Sequence, residues 1–240
     1  MTEEDRQPPV RIAVTGAPGT GRGTVCAALA LATGLDCASV ADELAAPRSD
    51  RRLARTVEAA IRGFEQRVDG EARLPGGYVS DGSVLHEWAV AEATRRTTPR
   101  RHWLLNPRDL PYRIFEERFL LAQRRIVARY ANATYDGFVH LRLPEEVTED
   151  GDSATRETVD RLLLTALQDS NLPYLVIGGS LEQIVTQVAG MFALPQHIPV
   201  GDAVSGGEKT PRNPPAGGKK KRENKWNTGA HPQQPGPRAA

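Results

Sequence analysis

Val10-Arg11-Ile12-Ala13-Val14-Thr15-Gly16-Ala17-Pro18-Gly19-Thr20-Gly21-Arg22-Gly23-Thr24 is the stretch on which the fold of this 240-residue chain turns. The first six residues form a short apolar run suited to a buried strand. The next nine hold four glycines and a proline, and an alanine-rich helical run follows. Strand, glycine-rich turn and helix in that order are the setting of a phosphate cradle. Glycines serve there because backbone N–H groups must converge on phosphate oxygens with no Cβ in the way. The following helix adds the positive end of its dipole to the anion site.

The consensus for such a loop is G-x-x-x-x-G-K-[ST]. Gly16 and Gly21 match it, with Ala17, Pro18, Gly19 and Thr20 between them. Arg22 stands at the lysine position and Gly23 at the Mg²⁺-binding hydroxyl position. Arg22 keeps the charge, but a planar fork is not a compact ammonium. With Gly23 the metal loses its usual hydroxyl unless Thr24 takes over that role. Nucleotide binding is therefore expected more firmly than efficient phosphoryl transfer. Changing Arg22→Lys together with Gly23→Thr is expected to raise turnover if the protein is a weakened enzyme.

Outward from the loop, short apolar runs alternate with helical patterns: Tyr78 to Ser80, Phe138 to Leu143, Tyr174 to Ile177 and a weaker one near Cys37 to Val40. This alternation signals a parallel sheet with crossover helices. Leu53, Val57, Ile61 and Phe64 recur at helical spacing, as do Phe115, Phe119, Ala122, Ile126 and Tyr130; both stripes are read as core-facing. Leu162, Leu163 and Leu167, then Leu181, Ile184, Val185 and Val188, mark two more helices. Ser49, Ser153 and Ser180 stand where N-caps are expected. The predicted organisation is a polar arm over residues 1–9, a single α/β nucleotide-binding domain over 10–193, and a disordered Pro/Gly-rich tail over 194–240.

Charge divides along the same line. Residues 201–240 hold eight basic and three acidic side chains, a net +5, whereas the whole chain is +1, so residues 1–200 carry −4. Every lysine lies in that tail. The cluster Lys219-Lys220-Lys221-Arg222 is read mainly as a solvated tail, with a nucleic-acid tether as the alternative. No apolar run is long enough to span a bilayer, and the polar N-terminus does not read as a signal peptide. A cytoplasmic protein is expected, with Cys26 and Cys37 reduced, although a disulfide between them is possible.

The layout resembles the bacterial AAA-type ATPases related to nicotinamide riboside kinase and thymidylate kinase. The resemblance covers residues 10–192. It rests on the Gly16 to Thr24 loop, on Tyr78-Val79-Ser80-Asp81, on Tyr135 to Leu141 and on Leu172 to Ser180. It implies a three-layer P-loop fold with a five-stranded parallel sheet flanked by helices, ATP as nucleotide and Mg²⁺ as its metal. It implies also that Asp81 serves the metal or acts as a base, where kinases of this kind carry an Asp-Arg pair; here Gly82 replaces the arginine. Asp81 is equally placed to cap the helix that begins near Ser83. Glu145 to Thr155 resembles a lid. Arg156 beside it is the candidate arginine for transition-state charge, with Arg142 and Arg161 as competitors. Gly178-Gly179-Ser180 is expected near the adenine.

Arg51, Arg52 and Arg55 are either contacts for an unidentified small-molecule acceptor or a solvated face. His86, Trp88, His102 and Trp103 are expected on the open side. Three functions stay in view: an attenuated ATP-dependent phosphotransferase or ATPase, a nucleotide-binding module with little or no turnover, and an adaptor that meets a partner through its basic tail.

Overall fold

A computed structural model of the chain describes residues 9–39, 52–98, 110–144 and 153–209. Five strands, β1 (Arg11–Gly16), β2 (Asp36–Ala38), β3 (Tyr78–Asp81), β4 (Gly137–Leu141) and β5 (Tyr174–Ile177), form one sheet in the order β2-β3-β1-β4-β5. All pairings are parallel. The helices are α1 (Arg22–Thr33), α2 (Arg52–Ala72), α3 (Val84–Thr97), α4 (Leu110–Thr134), α5 (Ser153–Gln168), α6 (Leu181–Met191) and α7 (Val200–Lys209). The expected three-layer α/β architecture with a central β1 is present.

β1 reads as a continuous apolar run because both of its faces are covered. Ile12 and Val14 join Val79 and Val139 under α1, α6 and α7. Ala13 points the other way, with Tyr78 and Phe138, into a core built by α2, α3, α4 and α5. That alternation is the two-residue period of a strand. β3 ends at Asp81, opposite Val14, and β1 runs on to Gly16. Their C-terminal ends carry the glycine-rich loop and the Asp81-Gly82 turn respectively, at the edge where open parallel sheets bind ligands.

Two expectations about the helices need correction. On α4 the buried positions are Glu116, Leu120, Gln123, Val127 and Ala131, one residue on from the stripe read in the sequence. Phe115 and Ile126 are 58% and 59% exposed, and Ala122 is exposed too. On α2 the inward positions are Ala60, Gly63, Arg67 and Glu71, while Ile61 faces out. In both helices polar side chains with dedicated partners hold the inward face. Gln123 Nε2 donates to Ala60 O at 3.0 Å, tying α4 to α2. The outward residues Val57, Ile61, Tyr112 and Phe115 line a groove between these helices instead.

A third correction concerns the domain end. Residues 194–209 are folded: Leu194 and Ala203 are buried, and His197 N donates to Ala32 O at 2.8 Å. α7 packs along α1 so closely that a Cβ on Gly207 would meet the backbone of Ala28 at 3.0 Å. The glycines that made this stretch read as disordered are what allow the close approach. No helix among the described residues is long and apolar enough to cross a membrane.

Candidate functional site

The glycine-rich turn joins β1 to α1. Gly21 adopts the left-handed conformation (φ 83°, ψ 20°) and turns the chain into α1, which starts at Arg22. A residue with a Cβ is strained in that region, which explains glycine there. Thr20 closes the preceding turn, its N–H and its Oγ1 both donating to Ala17 O, at 3.3 and 2.9 Å. The first intrahelical bond runs from Val25 N to Gly21 O. The first-turn amides of Gly23 and Thr24 thus have no intrahelical acceptor. No side chain caps this helix end, and its first turn holds no acidic residue. An uncapped helix N-terminus with a glycine approach presents donors and a positive dipole end to an anion.

Asp81 closes the site from β3. Its Oδ1 lies 4.0 Å from Arg22 Nε and, though buried, accepts no hydrogen bond. Its Oδ2 lies beside Gly23: a Cβ built there would be 3.1 Å from it. Arg22 itself is mostly buried and lies over the Asp81-Gly82 turn, since its Nη1 would be 3.1 Å from a Cβ on Gly82. Asp81 is not the cap of α3. Ser83 is, its Oγ accepting from Leu85 N at 3.3 Å.

Behind Asp81 is a buried polar network that the sequence reading missed. Arg67, 3% exposed, donates to Ser80 Oγ at 3.0 Å and to Glu87 Oε1 at 3.2 Å. Burial works against its charge, but Glu87 and Glu71 beside it raise its pKa. Glu71 accepts from Ser80 Oγ at 2.7 Å, from Tyr135 Oη at 2.9 Å and from Tyr78 Oη at 3.2 Å. Burial pushes the Glu71 carboxyl above its usual range, and these hydrogen bonds only partly offset it. The Arg67 guanidinium fills the space beside Gly82, where Nη2 would stand 2.8 Å from an added Cβ. An arginine thus reaches the turn after Asp81 from α2 rather than from position 82. The available signal was the pair Arg67 and Glu71, one helical turn apart on the face carrying Ala60 and Gly63.

A second buried relay supports the loop from β4. Asp160 Oδ1 lies 3.0 Å from His140 Nε2, and His140 Nδ1 lies 3.2 Å from Thr15 Oγ1. Thr15 immediately precedes Gly16, so this chain fixes the strand end from which the cradle springs.

The remaining candidates separate. Thr24 is half-buried at the third position of α1, and its hydroxyl makes no hydrogen bond among the described residues. Arg156 is half-buried in the first turn of α5 and makes no ion pair with Asp81 or the loop. Arg142 packs along Gly178, and Arg161 is exposed. Ser180 caps α6 in a reciprocal pair with Gln183, as expected. Ser153 is instead the first residue of α5, its Oγ donating to Glu157.

His86 and Trp88 are not on an open side. Trp88 is 3% exposed with Nε1 donating to Leu120 O at 3.0 Å. Burial, then the charges of Arg22 and Arg67, holds His86 well below the usual imidazole range. Arg52 and Arg55 sit in the first turn of α2, with side chains outside the described residues. Arg51, His102, Trp103, Ser49, the basic cluster 219–222 and residues 145–152 of the expected lid also lie outside them, while Ser153 to Thr155 of that stretch open α5.

No known protein family matches the sequence, and no curated protein matches it. Among solved structures, deoxyadenosine kinase from M. mycoides with bound dCTP is similar, at 13% identity and a TM-score of 0.44. The match covers 77% of this chain and 99% of that one.

Proposed function

We propose that the chain binds a nucleoside triphosphate, with ATP as the expected one, in the Gly16 to Thr24 loop, and acts as a kinase-like phosphotransferase or ATPase of attenuated turnover. The observation that carries this is the uncapped, acid-free start of α1 behind a left-handed Gly21, with Asp81 and Arg22 set against it. The amides of the loop and of the first turn bind phosphate oxygens. Arg22 supplies the cation toward the β- and γ-phosphates, for which its pairing with Asp81 has to loosen.

Asp81 fits a metal role, since Oδ1 is buried without a hydrogen-bond donor and Oδ2 borders the loop. Among the described residues no group of three or more His, Cys, Asp or Glu could cage a metal ion. That suits Mg²⁺, which keeps most of its waters and takes one or two carboxylates plus substrate phosphates. Mg²⁺ would neutralise charge developing on the phosphates, held by Asp81 and by the Thr24 hydroxyl. Arg156, at the start of α5 just after the lid stretch, is proposed to complete the site when phosphate is bound. The acceptor is a small molecule entering from the α2 side.

The second reading is a nucleotide-binding module without turnover. It is favoured by Arg22 lying against Asp81, which leaves both groups partly committed to one another. Phosphate release from Mg·ATP over hours separates the two. Slow release that falls at least about tenfold in Asp81→Asn supports the enzyme, since about 1.4 kcal/mol of lost stabilisation suffices for that. Bound nucleotide with no release supports the module. No bound nucleotide of any kind overturns both.

A further inference from the structure

We propose that Cys26 and Cys37 are an oxidisable dithiol that forms a reversible disulfide within the chain, fastening the edge strand β2 to the helix that carries the phosphate cradle. Cys26 lies on α1 one turn after Gly23, and Cys37 is the middle residue of β2. Their sulfur atoms are 2.8 Å apart, and both thiols are free. They stand eleven positions apart in sequence, so the contact is made by the fold and is present before any oxidant arrives.

The two thiols differ in the way a reacting pair requires. Cys37 is exposed, whereas Cys26 is buried, with its Sγ also 3.0 Å from Val79 O. The exposed Cys37 is the thiol that an oxidant meets first, and Cys26, buried with its sulfur in contact, is the resolving thiol.

With hydrogen peroxide as oxidant, the Cys37 thiolate attacks one oxygen and the O–O bond breaks. The departing hydroxide takes a proton and leaves as water, and Cys37 becomes a sulfenic acid. The Cys26 sulfur then attacks the Cys37 sulfur and the S–O bond breaks. The leaving hydroxide, with the Cys26 proton, is the second water. Two thiols are oxidised to one disulfide and one peroxide is reduced to two waters.

The test uses the full chain, reduced and then exposed to stoichiometric hydrogen peroxide. Before oxidation one thiol should react readily with a thiol reagent, and the second only after unfolding. After oxidation both should be lost, with a mass decrease of about 2 Da, a monomer on a non-reducing gel and full recovery in dithiothreitol. A gain of about 32 Da at Cys37 with Cys26 still reduced would overturn the proposal, as would disulfide-linked dimers. Cys37→Ser, at an exposed position where folding is not at risk, should abolish the 2 Da loss and leave Cys26 unreactive in the native protein. Ready reaction of Cys26 in that variant would count against the proposal. These readouts are independent of nucleotide, so their failure and the failure of the functional reading are separable.

Discussion

Gly23 and Asp81 share one small space: a side chain at residue 23 would have its Cβ 3.1 Å from the Asp81 Oδ2 carboxylate oxygen. The loop position that carries a hydroxyl in the consensus is glycine here, and an acid from the neighbouring strand stands against it. The departure from consensus and the placement of Asp81 are therefore one feature.

Restoring the hydroxyl should not restore activity. Gly23→Thr makes the Asp81 carboxylate give way by a few tenths of an ångström, so the gain expected from the motif alone is offset by a displaced carboxylate. Together with Arg22→Lys it is expected to leave phosphate release within about threefold of the unmodified chain, and to weaken Mg²⁺ dependence. Steady-state release across a Mg²⁺ titration checks this. A rise of tenfold or more would mean that Asp81 is not needed where it stands.

Gly82→Ala is expected to destabilise the fold by roughly 2–4 kcal/mol. Its φ is 102°, and the added Cβ would lie 2.8 Å from the Arg67 guanidinium. Gly82→Arg, which rebuilds an Asp-Arg pair in sequence, should be worse, because Arg67 already occupies the place. Urea unfolding of both variants measures the effect; a Gly82→Arg protein as stable as the original would remove Arg67 from its assigned role.

Stability should depend on pH through Glu71. Burial raises its folded-state pKa above the ordinary value of 4.5, so the folded chain holds this proton at pH values where the unfolded chain has released it. The folded state therefore binds more protons in that window, and this contribution falls as pH rises from 4.5 through the folded pKa. Glu116, raised by burial as well, acts in the same direction, whereas the lowered Glu92 loses its contribution only as pH falls below the ordinary carboxylate range. Urea midpoints between pH 5 and 7.5 are expected to show a smaller slope for Glu71→Gln than for the unmodified chain. An identical slope would contradict the assignment.

The sheet was legible because its signals are local. An apolar run before glycines, or before a capping serine such as Ser180, needs nothing else in the fold to be recognised. The inner faces of α2 and α4 were not legible, since Arg67, Glu71, Glu116 and Gln123 face inward, where a hydrophobic stripe puts Ile61, Phe115 and Ile126. Only the tertiary partners of those polar groups explain the choice. The segment 194–209 failed for a related reason: Gly207 looks like disorder until Ala28 is seen against it. In the site, the loop and Asp81 could be named from sequence. Their proximity, and the delivery of Arg67 to the Gly82 turn from α2, depend on strand register and helix packing that no single motif encodes.

Isothermal titration of the full chain with ATP, with and without Mg²⁺, tests the central claim most directly. Saturable micromolar binding with weak Mg²⁺ dependence, worsened at least about tenfold in Arg22→Ala, is expected; that factor corresponds to about 1.4 kcal/mol. No binding of ATP, GTP or any deoxynucleoside triphosphate under either condition would contradict it.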